Sequence, residues 1–207
     1  MNRKNLRSLA AGVALLLAVG ALAGCGGEKK ADDSKKMVTV GIAQLVEHGA
    51  LDAANKGFVA GMASKGFKEN ENVKYDRQNA QADQSNLQNI AQRFVSNKVD
   101  LICAIATPTA QTMANATKDI PIVATAVTDY EVAKLAASNN EPKGNVTGTS
   151  DMNPIDQQLE LLLKIAPQTK NIGTVYSSSE VNSQLQVDVL KKLAGDKGIN
   201  VIEATVS

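Results

Sequence analysis

Two short polar segments carry side chains that could hold a small charged molecule. Thr107-Pro108-Thr109-Ala110 places two hydroxyls at the predicted start of a helix, where the first N–H groups have no partner within the helix. Such hydroxyls and N–H groups together bind carboxylates and other small anions, although Thr107 could instead only cap its own helix. Asp129 and Glu131 follow a predicted strand, and either could pair with an ammonium group or simply face solvent.

Other polar residues extend this set of candidates. Gln44 ends an apolar run, and Ser177-Ser178-Ser179-Glu180-Val181-Asn182-Ser183 is a polar loop that opens a later helical pattern. That loop could close over a ligand from the opposite side, or it could serve only as a linker with a helix cap. Tyr130 could offer a flat face for stacking, but the sequence contains only three Phe, three Tyr and no Trp.

The sequence does not favour an enzyme or a metalloprotein. His48 is the only histidine, and neither a Gly-x-Ser-x-Gly nucleophile elbow nor a glycine-rich phosphate or dinucleotide loop follows a predicted strand. Cys103 lies within an apolar run, which favours a small buried side chain over a reactive thiol. We therefore expect no catalysis, no metal and no cofactor.

Composition indicates a soluble globular protein that does not bind nucleic acid. Hydrophobic residues make up 43% and charged residues 21% of the sequence, as in ordinary globular domains. Residues 1–24 contain three of the 22 basic residues and no acidic residue, so the remainder carries 19 basic against 21 acidic residues. This slightly negative balance argues against nucleic acid as a partner.

Apolar runs and helical patterns alternate from Met37 to the end of the chain. This alternation is typical of right-handed βαβ crossovers and predicts an α/β fold with a parallel sheet. Strands are expected at residues 37–43, 73–76, 99–106, 120–127, 145–151, 172–176 and 199–206. Helices are expected at residues 51–66, 83–95, 131–137, 155–166 and 181–194, with a further one beginning at Thr107. Asp83, Thr107 and the Asn153-Pro154 pair are the predicted helix caps.

Ligands of open parallel sheets bind at the carboxyl ends of the strands, where loops and helix N-termini meet. This rule selects four loops, which are Gln44–Gly49, Thr107–Ala110, Val127–Tyr130 and Ser177–Ser183. We therefore predict a small-molecule binding site that these loops form together. Its predicted residues are Gln44, Thr107, Thr109, Ala110, Asp129, Ser177, Asn182 and Ser183.

The N-terminus has the layout of a secretory signal peptide. Three basic residues precede an apolar run over residues 9–22, which is shorter than the roughly 20 residues that a membrane-spanning helix needs. The run ends in Leu22-Ala23-Gly24-Cys25, which resembles the lipobox of bacterial lipoproteins. The resemblance implies a signal peptide over residues 1–24, a lipid such as palmitate on Cys25, a flexible tether over residues 25–36 and an extracytoplasmic protein anchored to the cell membrane.

From Met37 onward the sequence is similar to the first part of the bacterial ABC-transporter substrate-binding lipoproteins of the tryptophan/tyrosine type. The matching segments are Val40–Gln44, Ile105–Gln111, Thr128-Asp129, Asn145–Asp151 and Tyr176–Ser183, and Asn145–Asp151 is the most distinctive of them. The sequence departs from the family pattern at Tyr130, where proline is expected after the aspartate.

This resemblance implies the type I periplasmic-binding-protein fold, with two Rossmann-like lobes joined by a hinge. The first α/β lobe is expected over residues 37–149 and the start of a second one over residues 150–207. The lobes are expected to close on a small solute, with an amino acid, and an aromatic one in particular, favoured. A membrane permease with a cytoplasmic ATPase would then receive the ligand.

Two alternatives stay open. The chain could be a membrane-tethered ligand sensor or interaction lipoprotein with the same fold, or it could bind a sugar or a nucleoside. The second lobe contains two predicted strands and two predicted helices after Ser150, which is too little chain for an independent core. We therefore expect a C-terminally incomplete protein that binds an amino acid weakly or not at all.

Overall fold

The computed structural model describes residues 37–141 and 144–206. Its strands are β1 (Val38–Gln44), β2 (Val73–Asn79), β3 (Leu101–Ile105), β4 (Ile122–Val127), β5 (Val146–Ser150), β6 (Asn171–Ser177) and β7 (Asn200–Val206). Its helices are α1 (Gly49–Ser64), α2 (Gln84–Ser96), α3 (Thr107–Ala116), α4 (Ile155–Ile165) and α5 (Val181–Gly195). The predicted signal peptide, the lipidation of Cys25 and the predicted tether lie outside the described residues.

Five parallel strands form the larger sheet, in the order β2-β1-β3-β4-β5. A smaller sheet consists of β6 and β7, which are also parallel. The predicted α/β fold with parallel strands is therefore confirmed. In the larger sheet the chain order reverses between β1 and β3, so the carboxyl ends of these two strands border the crevice in which ligands of such sheets bind.

Helices cover both faces of the larger sheet. On one face, α1 packs against a cluster that includes Ile42, Tyr75 and Cys103, and burial raises the pKa of the Cys103 thiol to about 12. On the other face, α2 and α3 pack against a larger cluster that includes the fully buried Phe94. Gly41 makes this packing possible, because a Cβ atom there would lie 2.7 Å from the Phe94 ring.

An irregularity in β4 shapes the end of the sheet that the predicted site uses. The pairing of β4 with β5 shifts between Ala124 and Val127, and Ala126 has a positive φ of 55°. The buried Tyr130 hydroxyl donates into this region, 3.0 Å from the Ala124 carbonyl oxygen and 3.2 Å from that of Thr149. Burial raises the pKa of Tyr130 to about 12.

The helix predicted at residues 131–137 is wrong, because this segment forms turns. The main-chain N–H groups of Ala133 and Leu135 donate to the carbonyl oxygens of Asp129 and Tyr130, 3.1 and 2.8 Å away. Lys134 then takes a left-handed conformation, with φ at 59°, and a residue in this conformation interrupts the repeating helical geometry.

Of the three predicted helix caps, Thr107 is wrong and the Asn153-Pro154 pair is correct only in its position. Ala106 precedes α3 as its N-cap, so Thr107 is already the first helical residue. Pro154 holds the corresponding position before α4, and the Asn153 amide instead donates to Gln186, 2.8 Å away. The predicted cap at Asp83 is confirmed, since its carboxylate accepts the Asn86 N–H at 2.7 Å.

The smaller sheet has a much smaller core than the larger one. Its buried cluster contains Leu159, Ala194 and Ile199, whereas Val175 and Ile202 in its strands are 70% and 56% exposed. The division into lobes at residues 149 and 150 stays a prediction. Among the residues that the structure describes, no helix is both long and apolar enough to cross a membrane.

Candidate functional site

The carboxyl ends of the central strands bring five of the predicted site residues, from three of the four predicted loops, to one edge of the larger sheet. Gln44 at the end of β1 pairs with Ile105 at the end of β3, directly before α3. Asp151 donates its N–H to the carbonyl oxygen of Val127 at 3.0 Å, which aligns the end of β4 with that of β5. Gln44, Thr107, Thr109, Ala110 and Asp129 therefore lie at the same edge of the sheet.

Gln44 is held in a fixed orientation by α1. Its amide nitrogen donates to the Asp52 carboxylate at 2.6 Å and to the Val46 carbonyl oxygen at 2.9 Å, while its amide oxygen accepts from Asn55 at 3.2 Å. The side chain is almost fully buried. Gln44 therefore has its hydrogen-bonding groups engaged within the protein and supports the edge of the site.

Asp52 and Asn55 were not among the residues predicted for the site. Their three-residue spacing places both polar side chains on one face of α1, beside the apolar face. The spacing is visible in the sequence, but it does not show that both side chains contact Gln44. That contact is seen only in the structure, where Gln44 lies beside the first turns of α1.

The N-terminus of α3 contains polar groups that lack partners within the described residues. The side-chain oxygens of Thr107 and Thr109 are buried and have no hydrogen-bond partner among the described residues. No side chain caps the helix, so N–H groups of its first turn are also available. Ala110 is fully buried, and its N–H makes the first helical bond to Ala106.

Ala106 holds this helix start in a strained conformation. Its φ of 89° and ψ of 153° lie in a region that is otherwise used almost only by glycine. Such a conformation costs on the order of 1–3 kcal/mol and is concentrated at functional sites. The strained backbone of Ala106 therefore lies within four residues of chain from the unpartnered hydroxyls of Thr107 and Thr109.

Asp129 lies at the end of β4 in a clamp formed by its own loop. One carboxylate oxygen accepts the N–H of Val132 at 2.8 Å, and the other accepts the side-chain amide of Asn139 at 2.7 Å. The Asn139 oxygen in turn accepts the N–H of Tyr130 at 2.7 Å. The carboxylate therefore has a defined position and is half-buried, with lone pairs remaining for a ligand.

The expectation that Tyr130 offers a stacking face is wrong, because its ring is buried in the core. Two hydrogen bonds explain why tyrosine and not proline follows Asp129. The Tyr130 main-chain N–H, which proline would lack, donates to the Asn139 side-chain oxygen. The Tyr130 hydroxyl donates to main-chain oxygens of β4 and β5. Gly148 leaves the room for this hydroxyl, since a Cβ atom there would collide with it and with the Ala124 carbonyl oxygen. Asn139 carried no signal in the sequence that linked it to Asp129.

The remaining predicted residues follow β6 in the smaller sheet. The Ser177 hydroxyl bonds to that of Ser179 at 3.0 Å, and the Asn182 amide nitrogen donates to Glu180 at 3.1 Å. The Asn182 side-chain oxygen is buried without a partner among the described residues, whereas Ser183 lies in the first turn of α5. The hydrogen bonds of the described residues do not join these residues to those at the edge of the larger sheet.

Comparison with known sequences identifies the family. Residues 39–207 match the sequence pattern of the family described as ABC transporter substrate binding protein. The chain belongs to this family. It is 48% identical over 214 residues to a tyrosine-binding protein from Clostridioides difficile, an alignment that covers 100% of this chain and 61% of the relative.

Solved structures of substrate-binding proteins superpose on the chain. A Streptococcus pneumonia ABC domain in complex with L-Trp is 43% identical with a TM-score of 0.78, covering 82% of this chain and 57% of that one. A ligand-free, open substrate-binding protein with adhesive properties from Clostridium difficile is 50% identical with a TM-score of 0.65, covering 82% and 58%. The predicted type I periplasmic-binding-protein fold is confirmed. The chain spans about three fifths of the length of these relatives.

Proposed function

We propose that this chain forms part of the solute-binding component of an ABC importer and that its site binds an amino acid. The observation that carries the proposal is the pair of buried, unpartnered hydroxyls of Thr107 and Thr109 at the start of α3. A ligand carboxylate would accept hydrogen bonds from these hydroxyls and from free N–H groups of the first turn. The positive end of the helix dipole would stabilise its charge.

Asp129 supplies the opposite charge at the same edge of the sheet. Its carboxylate is oriented by Val132 and Asn139, and the lone pairs that remain would accept hydrogen bonds from an ammonium group. One group for a carboxylate and one for an ammonium match the two charged ends of a free amino acid. The preference for an aromatic side chain rests on the relatives, which are described as a tyrosine-binding protein and an L-Trp complex.

The structural comparisons support a ligand-competent arrangement. The L-Trp complex gives the higher TM-score, 0.78 against 0.65, although the open, ligand-free protein is the more similar in sequence, 50% against 43% identical. We take this order as support for an arrangement nearer to that of the L-Trp complex than to that of the open protein. In the arrangement we propose, Ser177, Asn182 and Ser183 contact the ligand from the side opposite α3.

The cellular setting follows from the family and from the N-terminal sequence. We propose that Cys25 carries the lipid that holds the protein at the outer side of the cell membrane, where a permease with its cytoplasmic ATPase receives the ligand. This part of the proposal rests on the lipobox resemblance and on family membership over residues 39–207. Metabolic labelling with a palmitate analogue tests it, because a Cys25→Ser variant should lose the label and the membrane association.

The ligand site is tested by NMR titration of the chain with L-tyrosine and L-tryptophan, which detects weak as well as tight binding. We expect saturable shifts of the amides at Thr107–Ala110 and Asp129–Val132, and much smaller shifts with the D-isomers. Shifts scattered over the surface, or the same response to both stereoisomers, would contradict an amino-acid site at this edge.

Thr109→Val separates ligand recognition from folding. The substitution keeps the shape of the side chain and removes a buried hydroxyl that has no partner, so the ligand-free chain should be as stable as the original or more stable. Ligand affinity should fall about tenfold or more, since a hydrogen bond to a charged group contributes about 1.5–3 kcal/mol. Thr147→Val, in the exposed part of β5, is the control and should leave affinity unchanged. Unchanged affinity in Thr109→Val would remove Thr109 from the site.

A further inference from the structure

A second concave site lies along the side of α3, next to the strand-end loops, from which Pro108 and Ser179 contribute to its wall. Its volume is about 340 Å³. Its wall contains Gln84 at the start of α2, Gln111 and Asn115 on α3, Lys118 after α3, Lys134 in the turn after β4, and Ser179 after β6. Pockets for small ligands start at about 300 Å³. None of the eight residues predicted for the amino-acid site lines this cavity.

The charges around this cavity have one sign. Lys118 and Lys134 are the charged residues of its wall, and no Asp or Glu of the described residues lines it. The Lys118 ammonium donates one hydrogen bond to the carbonyl oxygen of Ala114, which fixes the side chain at the cavity and leaves two of its three N–H groups for other acceptors. A cavity walled in this way attracts an anion.

Hydrogen-bond acceptors accompany the two ammonium groups. The Gln111 amide nitrogen donates to the Ala133 carbonyl oxygen at 3.0 Å, and that of Gln84 donates to the Thr112 hydroxyl at 3.2 Å. These bonds anchor both side chains through their nitrogens, and neither amide oxygen receives a hydrogen bond from the described residues. An anion that also carries O–H or N–H groups therefore finds acceptors as well as cations.

Lys134 occupies a backbone conformation that a lysine does not favour. Its φ of 59° is in the left-handed region, which costs about 1–2 kcal/mol for a residue with a Cβ atom and is ordinarily filled by Gly, Asn or Asp. Strained residues persist where the surroundings require them, and they cluster at ligand sites. The same conformation occurs at Lys98, away from the cavity, so the proposal rests on the position of the Lys134 ammonium group and not on its backbone.

We propose that this cavity binds a small organic anion, with a carboxylate or phosphate group held between Lys118 and Lys134. The amide oxygens of Gln84 and Gln111 accept hydrogen bonds from its hydroxyl or amino groups. Ser179 belongs to the loop after β6, whereas the other lining residues named above belong to the elements around the larger sheet. A bound anion therefore contacts both parts of the protein.

The chain offers a matched control for Lys134. Lys98 also has a positive φ, 50°, but it does not line the cavity. Asn tolerates the left-handed conformation better than Lys, so Lys134→Asn and Lys98→Asn should both leave the melting temperature unchanged or raise it. Only Lys134→Asn removes an ammonium group from the cavity.

The test is calorimetric and NMR titration of the full chain with citrate and with inorganic phosphate at constant ionic strength. We expect saturable binding with amide shifts at residues 111–118 and 133–135. We also expect at least about tenfold weaker binding in Lys134→Asn and in Lys118→Gln, and unchanged binding in Lys98→Asn. Equal loss in Lys134→Asn and Lys98→Asn, or shifts spread over all surface lysines, would overturn the proposal. Binding of phosphate but not citrate would assign the site to phosphate groups, and the reverse result to carboxylates.

The outcome is independent of the proposed amino-acid site. Thr109→Val should weaken the binding of L-tyrosine or L-tryptophan and leave the binding of citrate and phosphate unchanged. Lys134→Asn should do the opposite. If both variants lose both kinds of ligand, the cavity is not a separate site and the inference is wrong.

Discussion

Replacing each of two buried tyrosines by phenylalanine tests how hydrogen-bond partners decide the contribution of a buried hydroxyl to stability. Tyr130 and Tyr75 are 5% and 7% exposed, and each lies in a core cluster on one face of the larger sheet. The Tyr130 hydroxyl donates to the carbonyl oxygens of Ala124 and Thr149, whereas the Tyr75 hydroxyl has no partner among the described residues. Replacing each tyrosine by phenylalanine removes only the hydroxyl.

The two substitutions should change the free energy of unfolding in opposite directions. Tyr130→Phe deprives two main-chain oxygens at the β4 irregularity of their shared donor, and leaving buried groups without a partner costs about 1–3 kcal/mol. Tyr75→Phe removes a hydroxyl that is buried without compensation, so stability should stay the same or rise by up to about 1–3 kcal/mol. The contact of the Arg77 guanidinium with the ring, 4.8 Å from its centroid, is retained in phenylalanine.

Urea unfolding followed by circular dichroism measures both effects. The slope of the unfolding free energy against urea concentration should be the same in all three proteins, and only the midpoint should move. A loss of stability in Tyr75→Phe equal to that in Tyr130→Phe would refute the reasoning, because the hydroxyl's partners would then not decide its contribution. A neutral Tyr130→Phe would likewise remove the proposed link between the turn after β4 and the strands.

Three further predictions concern packing and ionisation. Gly41→Ala should destabilise the fold by about 1–3 kcal/mol, because the added Cβ atom clashes with Phe94. Gly57→Ala should instead stabilise the fold by about 0.5–1 kcal/mol, because Gly57 is exposed on α1 and no atom lies within 4 Å of the added Cβ. Equal melting temperatures of the two variants would contradict both expectations. Because burial raises the pKa of Tyr130 to about 12, its contribution to stability is complete below pH 10 and is lost as pH rises from about 10 to 12, so the stability difference between the original protein and Tyr130→Phe should shrink over that range in urea titrations. Cys103 is buried with its pKa raised to about 12 and should resist iodoacetamide until the protein unfolds, as peptide mapping by mass spectrometry would detect.

The positions of most strands and helices could be predicted from local sequence. A continuous apolar run such as Leu101–Ile105 is buried on both faces of the sheet and stands out in any context. The helix start at Asp83 was equally clear, because its cap bonds within three residues. The failures came where distant groups decide the backbone, as at residues 131–137, which Asn139 and the Asp129 carboxylate hold in turns.

In the candidate site, too, local sequence predicts the positions of residues but not their contacts with distant groups. The rule that ligands bind at strand ends is sufficient to predict from the sequence that Gln44, Thr107 and Asp129 lie at one edge of the sheet. It did not distinguish Gln44, whose amide is already bonded to Asp52 and Asn55, from Thr107, whose hydroxyl is not bonded. That distinction depends on side-chain contacts between elements, which no local pattern contains.

The features at the start of α3 are costly to the folded protein when nothing is bound. Ala106 stores backbone strain of about 1–3 kcal/mol, and the two buried hydroxyls of Thr107 and Thr109 have given up water without gaining a partner. A glycine at Ala106 and valines at the two threonines would fold at lower cost, so stability alone does not account for the residues present. A ligand that accepts both hydroxyl bonds recovers part of this cost, and it stabilises the folded protein by RT ln(1 + [L]/Kd) in doing so. Folding stability and ligand affinity should therefore respond in opposite directions to substitutions at these positions, which is the physical signature of a binding site.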